Sequence, residues 1–177
     1  MLLCVLRLYN IHIAKYFRVL TRLYVFQKRE WKTSPSIAKM ITGLHHINLV
    51  VPPGTLHLAH EFYSGTLGLT PRVVPQLQRE TLAWFDIGAS GQQVHVAIGK
   101  PEDFVHTSSR HPCFKIGNRE DLATLRHKVW DHLQKGGEAA PKEADKPGEK
   151  NSGAEGAEYP SRFFARDFAG NRLEFSV

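Results

Sequence analysis

The chain has 177 residues, of which 42% are hydrophobic and 23% are charged, and a formal net charge of +6. These values are typical of a chain with one folded domain, or two at most, and they exclude disorder throughout the chain. The two cysteines, Cys4 and Cys113, lack the spacing of a disulfide framework, so a reducing compartment is expected.

The excess positive charge lies near the N-terminus. Residues 1–39 contain eight Lys or Arg and one Glu, a net charge of +7, whereas residues 40–177 contain 15 Lys or Arg and 16 Asp or Glu, a net charge of −1. A nucleic-acid-binding domain is expected to carry a basic face on its folded part. We therefore predict no nucleic-acid partner.

Residues 1–40 are predicted to form a basic amphipathic leader. At 100° per residue, five basic side chains cluster within about a quarter-turn of one helix face, opposite aliphatic and tyrosine side chains. The five are Arg7, Lys15, Arg18, Arg22 and Arg29. The import machinery of mitochondria and anionic membrane surfaces are the partners typical of such a helix. No charge-free run approaches the ~20 residues of a membrane span.

Met40 allows a second interpretation of the leader, because it stands directly before the folded part. Residues 1–39 are then a mis-assigned start or an alternative start of translation. The sequence thus predicts a mitochondrial location for the full-length chain and a cytoplasmic location for a form that starts at Met40.

From residue 41 onward the pattern changes to short strands and one helix. The Pro-Pro-Gly sequence at residues 52–54 is a turn signal, and Thr55 is placed to cap the helix that follows. Either Trp84 or Phe85 faces the polar side of its strand, and the alternation does not decide which. The predicted elements are a strand at Gly43–Val51, a helix from Thr55 to about Leu67, and strands at Arg72–Val74, Leu82–Ile87 and Gln93–Ile98.

The same order then repeats. Asn118 has the side chain of an N-cap, and acidic residues follow it in the first turn. The segment Lys146–Glu158 is rich in Gly, Glu and Lys without apolar periodicity, which predicts a mobile loop or lid. The predicted elements are a strand at His111–Ile116, a helix after Asn118, a weak strand near Ala139–Glu143, and strands at Arg162–Arg166 and Asn171–Val177.

Three stretches of the chain carry a resemblance to a known superfamily; they are GLHHINLVV from Gly43, AHEFYSGTLGLTPR from Ala59 and RFFARDFAGNRLEF from Arg162. They resemble the opening strand, the first helix with its turn, and the closing hairpin of the vicinal oxygen chelate superfamily. Its members include glyoxalase I, fosfomycin-resistance transferases, extradiol dioxygenases, methylmalonyl-CoA epimerase and metal-free bleomycin-resistance proteins. The resemblance covers residues 41–177. It implies an α+β fold whose two βαβββ modules, about 43–100 and 110–177, form a cupped, partly closed eight-stranded sheet.

Four side chains of metal-ligand type fall on strand faces that need not be buried: His46, His95, His111 and Glu174. Successive strand residues point to opposite faces, so each lies opposite an apolar set. A partly buried, hydrogen-bonded histidine is the alternative for any single position. The resemblance implies the same four as ligands, and a cavity-lining role for His95 stays open. One divalent ion is implied, and Fe²⁺, Mn²⁺, Ni²⁺ and Zn²⁺ all accept imidazole and carboxylate donors.

Arg162, Phe164 and Arg172 are the candidate substrate contacts. Arg162 and Phe164 alternate on one side of the penultimate strand, and Arg172 shares a face with Glu174, which is also the candidate catalytic residue. An inward arginine can hold a carboxylate or phosphate through two parallel hydrogen bonds. Arginines that face solvent at a strand edge are the alternative.

The leading hypothesis is a metal-dependent enzyme that chelates two vicinal oxygens of a small molecule, with lyase, isomerase or transferase chemistry. The same donors also suit Fe(II) and O₂, as in extradiol-type dioxygenases. A metal-free protein of the bleomycin-resistance type is the third interpretation, and the ligand set argues against it. Glyoxalase I has Glu where His95 stands, which argues against lactoylglutathione as the substrate. A small-molecule substrate is expected, and a homodimer is left open.

Overall fold

The computed structural model describes residues 42–177. Eight strands and two longer helices follow each other in two βαβββ modules. The predicted leader helix lies outside the described residues. Within residues 42–177, no helix is both long and apolar enough to cross a membrane.

The first module is a four-stranded sheet with the strand order β1-β4-β3-β2. Its elements are β1 (His46–Val51), helix α1 (His60–Thr66), β2 (Thr70–Arg72), β3 (Leu82–Asp86) and β4 (Gln93–Ile98). β1 runs parallel to β4, and the other neighbouring strands are antiparallel. Alternate residues of β3 and β4 are buried, which gives the sheet one apolar face and one polar face.

The second module repeats this arrangement after a short 3₁₀ turn at Pro101–Asp103. Its sheet has the order β5-β8-β7-β6, with β5 parallel to β8. The elements are β5 (Cys113–Lys115), helix α2 (Arg119–Lys135), β6 (Glu143–Ala144), β7 (Arg162–Arg166) and β8 (Arg172–Ser176). Helix α2 begins as predicted, because Asn118 Oδ1 accepts the Asp121 N–H at 2.8 Å. The predicted α+β fold and its internal repeat are confirmed.

Helix α1 differs from its prediction, because it is a π-type helix that begins five residues after Thr55. The Thr55 hydroxyl donates to the Pro52 carbonyl at 2.7 Å and therefore closes a turn instead of capping a helix. The Leu67 N–H binds the carbonyl of Phe62, five residues back. This wider spacing is the mark of a π-helix.

The two modules share one core, to which both sheets and both helices contribute. Its buried members include Phe62, Tyr63, Phe85, Val94 and Val96 from the first module and Leu122, Val129, Phe163, Leu173 and Phe175 from the second. Each large apolar side chain that is fully buried stabilises the fold by roughly 1.5–3 kcal/mol. Because the apolar faces of both sheets enter this core, their polar faces are turned away from it.

Within one chain the eight strands form two separate four-stranded sheets, and the described strands of one sheet do not pair with those of the other. The predicted partly closed eight-stranded sheet is therefore not continuous in a single chain. The shared core is the physical reason, since it holds the sheets together through their apolar faces and not along their edges.

The segment Lys146–Glu158, predicted to be mobile, is held by hydrogen bonds to its backbone. Arg126 of α2 donates to three carbonyl groups within residues 145–149, at 2.8 to 3.1 Å. Arg162 donates to the Ala154 carbonyl at 2.7 Å. The composition of the segment did not predict these anchors, because they come from arginines outside it.

Candidate metal centre

The polar face of the first sheet carries a stack of three rings. Trp84 and His95 are register partners on β3 and β4, and their parallel rings have centroids 4.5 Å apart. His46 on β1 also stacks on His95, at 4.1 Å. Trp84 therefore faces the polar side, whereas Phe85 is fully buried in the core. Two imidazoles of ligand type lie side by side on this sheet.

A chain of hydrogen bonds determines which nitrogen of His95 is free. Its Nε2 lies 3.0 Å from Gln93 Oε1, and Gln93 Nε2 donates to Asp86 Oδ1 at 2.7 Å. Because an amide oxygen only accepts, Nε2 carries the proton and Nδ1 keeps its lone pair. Burial, followed by the neighbouring imidazoles of His46 and His45, lowers the pKa of His95. The neutral form, which binds metals, is thereby favoured.

The polar face of the second sheet brings His111 and Glu174 into contact. His111 stands two residues before β5, and its Nε2 lies 2.9 Å from Glu174 Oε2 on β8. Its Nδ1 donates to the Ser109 carbonyl. The other carboxylate oxygen, Oε1, accepts from Arg162 Nη1 at 3.0 Å.

Glu174 stays ionised although its side chain is only 11% exposed. Burial by itself raises the pKa of this carboxyl, but hydrogen bonds from His111 and Arg162, and the charges of both, outweigh it. The resulting pKa of Glu174 lies below its ordinary value. A permanent negative charge therefore faces the imidazole of His111.

These donors fit a divalent cation. Since Nδ1 of His111 donates to a carbonyl, Nε2 is the atom left to face the carboxylate, and their short contact requires a proton or a cation between them. Histidines that bind metals commonly donate their other ring N–H to a carbonyl or carboxylate. His95 is oriented in the same way by Gln93.

The two donor pairs occupy equivalent positions in the internal repeat. The β1 residue that pairs with His95 lies two positions after His46. The β5 residue that pairs with Glu174 lies two positions after His111. The repeat therefore relates His46 to His111 and His95 to Glu174.

The two pairs do not meet within one chain. Among residues 42–177, no three His, Cys, Asp or Glu side chains lie close enough together to hold a metal ion. A cavity of about 570 Å³ runs along the free edge of β1 as far as His111, but its walls include none of His46, His95 and Glu174. One chain thus presents two candidate half-sites, each a pair of donors, and the sequence did not predict this separation.

The three predicted substrate contacts share the polar face with Glu174. Phe164 is the register partner of Glu174. The guanidinium carbons of Arg162 and Arg172 lie 5.2 and 4.5 Å from the centre of the Phe164 ring. The sequence therefore brought together residues that the structure also places together.

Arg166 lies on the same face but has a structural role. It donates to the Gly170 carbonyl at 3.0 Å and the Ser108 carbonyl at 3.2 Å, and its Nε lies 3.2 Å from Glu143. These contacts hold the closing hairpin to the segment between the modules.

Gln93, which orients His95, had no predicted role, and Trp84, which stacks on His95, was one of two candidates with Phe85 for lining the cavity. Gln93 lies two positions before His95 in the same strand, so alternation alone puts both on one face. Trp84 was not identified because two adjacent aromatic residues in β3 left its direction undecided.

No protein-family model and no curated protein matches the chain. Solved structures do match. A glyoxalase family protein from Bacillus anthracis has 23% sequence identity and a TM-score of 0.54, over 76% of this chain and 93% of its own. A glyoxalase/dioxygenase from Nostoc punctiforme has 18% identity and a TM-score of 0.55, over 80% of this chain and 92% of its own.

A third similar structure is a variant of the fosfomycin resistance protein FosX from Listeria monocytogenes, complexed with Mn(II) and 1S,2S-dihydroxypropylphosphonic acid. It has 16% identity and a TM-score of 0.54, over 78% of this chain and 93% of its own. Identities at this level show a shared fold. The chain has the vicinal oxygen chelate fold.

Proposed function

We propose that the chain is a divalent-metal-dependent enzyme that acts on a small molecule through two vicinal oxygens, with lyase, isomerase or transferase chemistry. The observation that carries the proposal is the equivalence of the two donor pairs in the repeat. All four ligand-type side chains lie on the polar faces of the sheets, so packing of the core does not account for their equivalent positions. The acceptors behind the rings, the Gln93 amide and the Ser109 carbonyl, orient His95 and His111 as metal ligands are oriented.

The centre is completed by a second copy of the chain. Each chain supplies only two donors per half-site, whereas a metal site in a protein generally has three or four protein ligands. Because each half-site lies on a polar face turned away from the core, it is open to a partner. In a two-fold symmetric homodimer, His46 and His95 of one chain meet His111 and Glu174 of the other. Symmetry repeats this contact, so the dimer contains two such centres.

A divalent ion at such a centre supplies Lewis-acid stabilisation of negative charge that develops on a substrate oxygen. The residues of the chain position and balance that charge. Glu174 turns Oε2 towards His111, and its Oε1, held by Arg162, is the candidate proton acceptor. The parallel stack of His46 on His95 does not direct the lone pairs of both rings at one point, so one of the two rings would have to turn for both to hold an ion.

Fe(II) and O₂ chemistry is the second candidate function. The observation that favours it is the combination of two imidazoles, His46 and His111, with the carboxylate of Glu174, which is the donor set of non-haem Fe(II) oxygenases when His95 only lines the cup. Oxygen uptake by the Fe(II)-loaded protein with catechol as the probe distinguishes it from the leading proposal, which predicts no uptake.

The proposal is tested by titrating the full-length, EDTA-treated protein with Mn²⁺ in a calorimeter. We expect one ion per chain and a change in tryptophan fluorescence, because Trp84 stacks on the candidate ligand His95. Glu174→Gln should weaken binding tenfold or more, because it removes the charged donor. His57→Ala is the matched control, since His57 is an exposed imidazole outside both half-sites.

An absence of ion binding by the wild-type protein contradicts the proposal, as does Glu174→Gln protein that binds as tightly as wild type. His95→Ala tests the fourth ligand separately. If its affinity and stoichiometry are unchanged, His95 only lines the cup.

A further inference from the structure

A second cavity lies beside Glu174 and has no role in holding an ion. It has a volume of about 250 Å³ and lies between the polar face of the second sheet and the start of the loop. Its polar walls are formed by Glu143, Asp145, Ser152, Arg166 and Arg172, and the Phe164 ring forms an apolar wall. Small-molecule sites commonly combine one apolar wall with a few convergent polar groups.

The charge of Arg172 has no partner in this cavity. Within residues 42–177, no carboxylate lies within 4.0 Å of its guanidinium group. Its Nε is buried without a hydrogen-bond acceptor among the described residues. Its only contact with an oxygen there is a weak one of 3.4 Å, from Nη2 to the Ser152 carbonyl. A buried donor left unpaired is unfavourable, so an acceptor is expected.

The other charged groups of the cavity are already engaged. Asp145 accepts the N–H groups of Ser152 and Phe164, so it does not neutralise Arg172. Arg166 pairs with Glu143. Within residues 42–177, Arg172 is therefore the cationic side chain of the cavity that has no carboxylate partner.

Arg162 also contacts the Phe164 ring, with its guanidinium carbon 5.2 Å from the ring centre. It also has a buried Nε without an acceptor within the described part of the chain, although its Nη1 pairs with Glu174. The two guanidinium groups thus contact the same aromatic ring, and each has an Nε–H group without an acceptor among the described residues. An arginine presents its donors as a planar fork that matches the oxygens of carboxylates and phosphonates.

We infer that this cavity binds the anionic group, a carboxylate or a phosphonate, of the substrate on which the metal centre acts. The inference rests on the proposed function, because it makes the anion part of the same molecule. Arg172 and Glu174 lie on one strand face two residues apart, which places them roughly 7 Å apart along the strand. A small molecule spans that distance with its vicinal oxygens at the ion and its anionic group at Arg172.

The test uses metal-free, full-length protein with inorganic phosphate or acetate as the probe, and NMR of the arginine Nε–H groups as the readout. We expect the Arg172 Nε–H resonance of the wild-type protein to shift downfield on titration, as it gains an acceptor. Arg172→Gln should weaken binding of the preferred probe about tenfold, and Arg172→Lys less, because lysine keeps the charge without the fork. The stronger probe identifies the class of anion.

Arg79→Gln is the control, because Arg79 is exposed in the turn before β3. Mn²⁺ titration of Arg172→Gln protein should give the wild-type affinity, which separates failure of this inference from failure of the metal site. An Arg172 Nε–H resonance that does not move with either anion overturns the inference. Equal weakening by Arg79→Gln and Arg172→Gln shows non-specific attraction and overturns it as well.

Discussion

At the scale of single residues, Asp167 ties the two modules together. Its carboxylate, fully buried, accepts the Tyr63 hydroxyl of the first module at 2.6 Å, and the side chain and backbone N–H of Asn171 at 2.8 Å. Asn171 also donates to the Val50 carbonyl of β1 at 2.8 Å. Burial raises the pKa of Asp167, and these donors offset part of that effect. The closing hairpin is thereby fixed to the first strand and the first helix.

Tyr63→Phe should lower the free energy of unfolding by about 1.5–3 kcal/mol, the value of a hydrogen bond to a charged group. Chemical denaturation of the metal-free protein measures it. Tyr159→Phe is the control, because Tyr159 is 43% exposed, and we expect a change of less than about 0.5 kcal/mol. Equal stability of Tyr63→Phe and wild-type protein would contradict a structural role for this contact.

Residue roles were predictable where a strand pattern determines them and not where they depend on distant partners. Alternation placed His95, Phe164 and Glu174 on the polar faces, and the register confirms those positions. The contact of Tyr63 with Asp167 joins positions 104 residues apart, so no local pattern indicates it.

At the scale of elements, the loop Lys146–Glu158 is ordered by its backbone. Arg126 binds two carbonyl groups of the loop and that of Asp145 directly before it, and Gly153 packs so close to the Phe164 ring that a Cβ at this position would lie 2.5 Å from it. A side chain larger than hydrogen would displace the loop from the sheet. The loop therefore forms one wall of the cavity that contains Arg172.

Arg126→Ala should free the loop, because it removes the side chain that donates hydrogen bonds to three backbone carbonyl groups. We expect faster tryptic cleavage after Lys150, which limited proteolysis followed by mass spectrometry measures. Arg119→Ala on the same helix is the control and should leave the cleavage rate unchanged. Equal rates in Arg126→Ala and wild-type protein would show that these hydrogen bonds do not order the loop.

Elements with a strong alternating pattern were predicted closely. The bounds of β4 and β7, Gln93–Ile98 and Arg162–Arg166, are those predicted. β2 lies at Thr70–Arg72, two residues earlier than predicted, because its pairing with β3 and not its own pattern sets its position. α1 was predicted to be longer and regular, and its π-type hydrogen bonds have no signature in a 3.6-residue period.

At the scale of the whole molecule, the repeat makes each chain complete as a fold, whereas the proposed metal site needs two copies of the chain. The shared core joins the modules through their apolar faces, so the two half-sites point away from each other. Sequence patterns placed His46, His95, His111 and Glu174 on polar faces but could not reveal this arrangement, because alternation shows the face of a strand and not the direction in which a sheet faces. The leader of residues 1–40, its mitochondrial destination and the Met40 start stay predictions.

The shared metal centre is tested most directly by mixing two inactive variants of the full-length chain. One variant carries His46→Ala and His95→Ala, and the other carries His111→Ala and Glu174→Gln. Each alone lacks half of every site. After joint unfolding and refolding, half of the dimers should contain one of each, and each such dimer regains one of its two centres.

Metal analysis of the mixture should therefore find about a quarter of the wild-type Mn²⁺ per chain, although neither variant alone retains the ion. The retained ion should elute with the dimer on size-exclusion chromatography. A mixture that retains no more Mn²⁺ than the separate variants, beside wild-type protein that binds one ion per chain, would contradict a centre built from two copies of the chain.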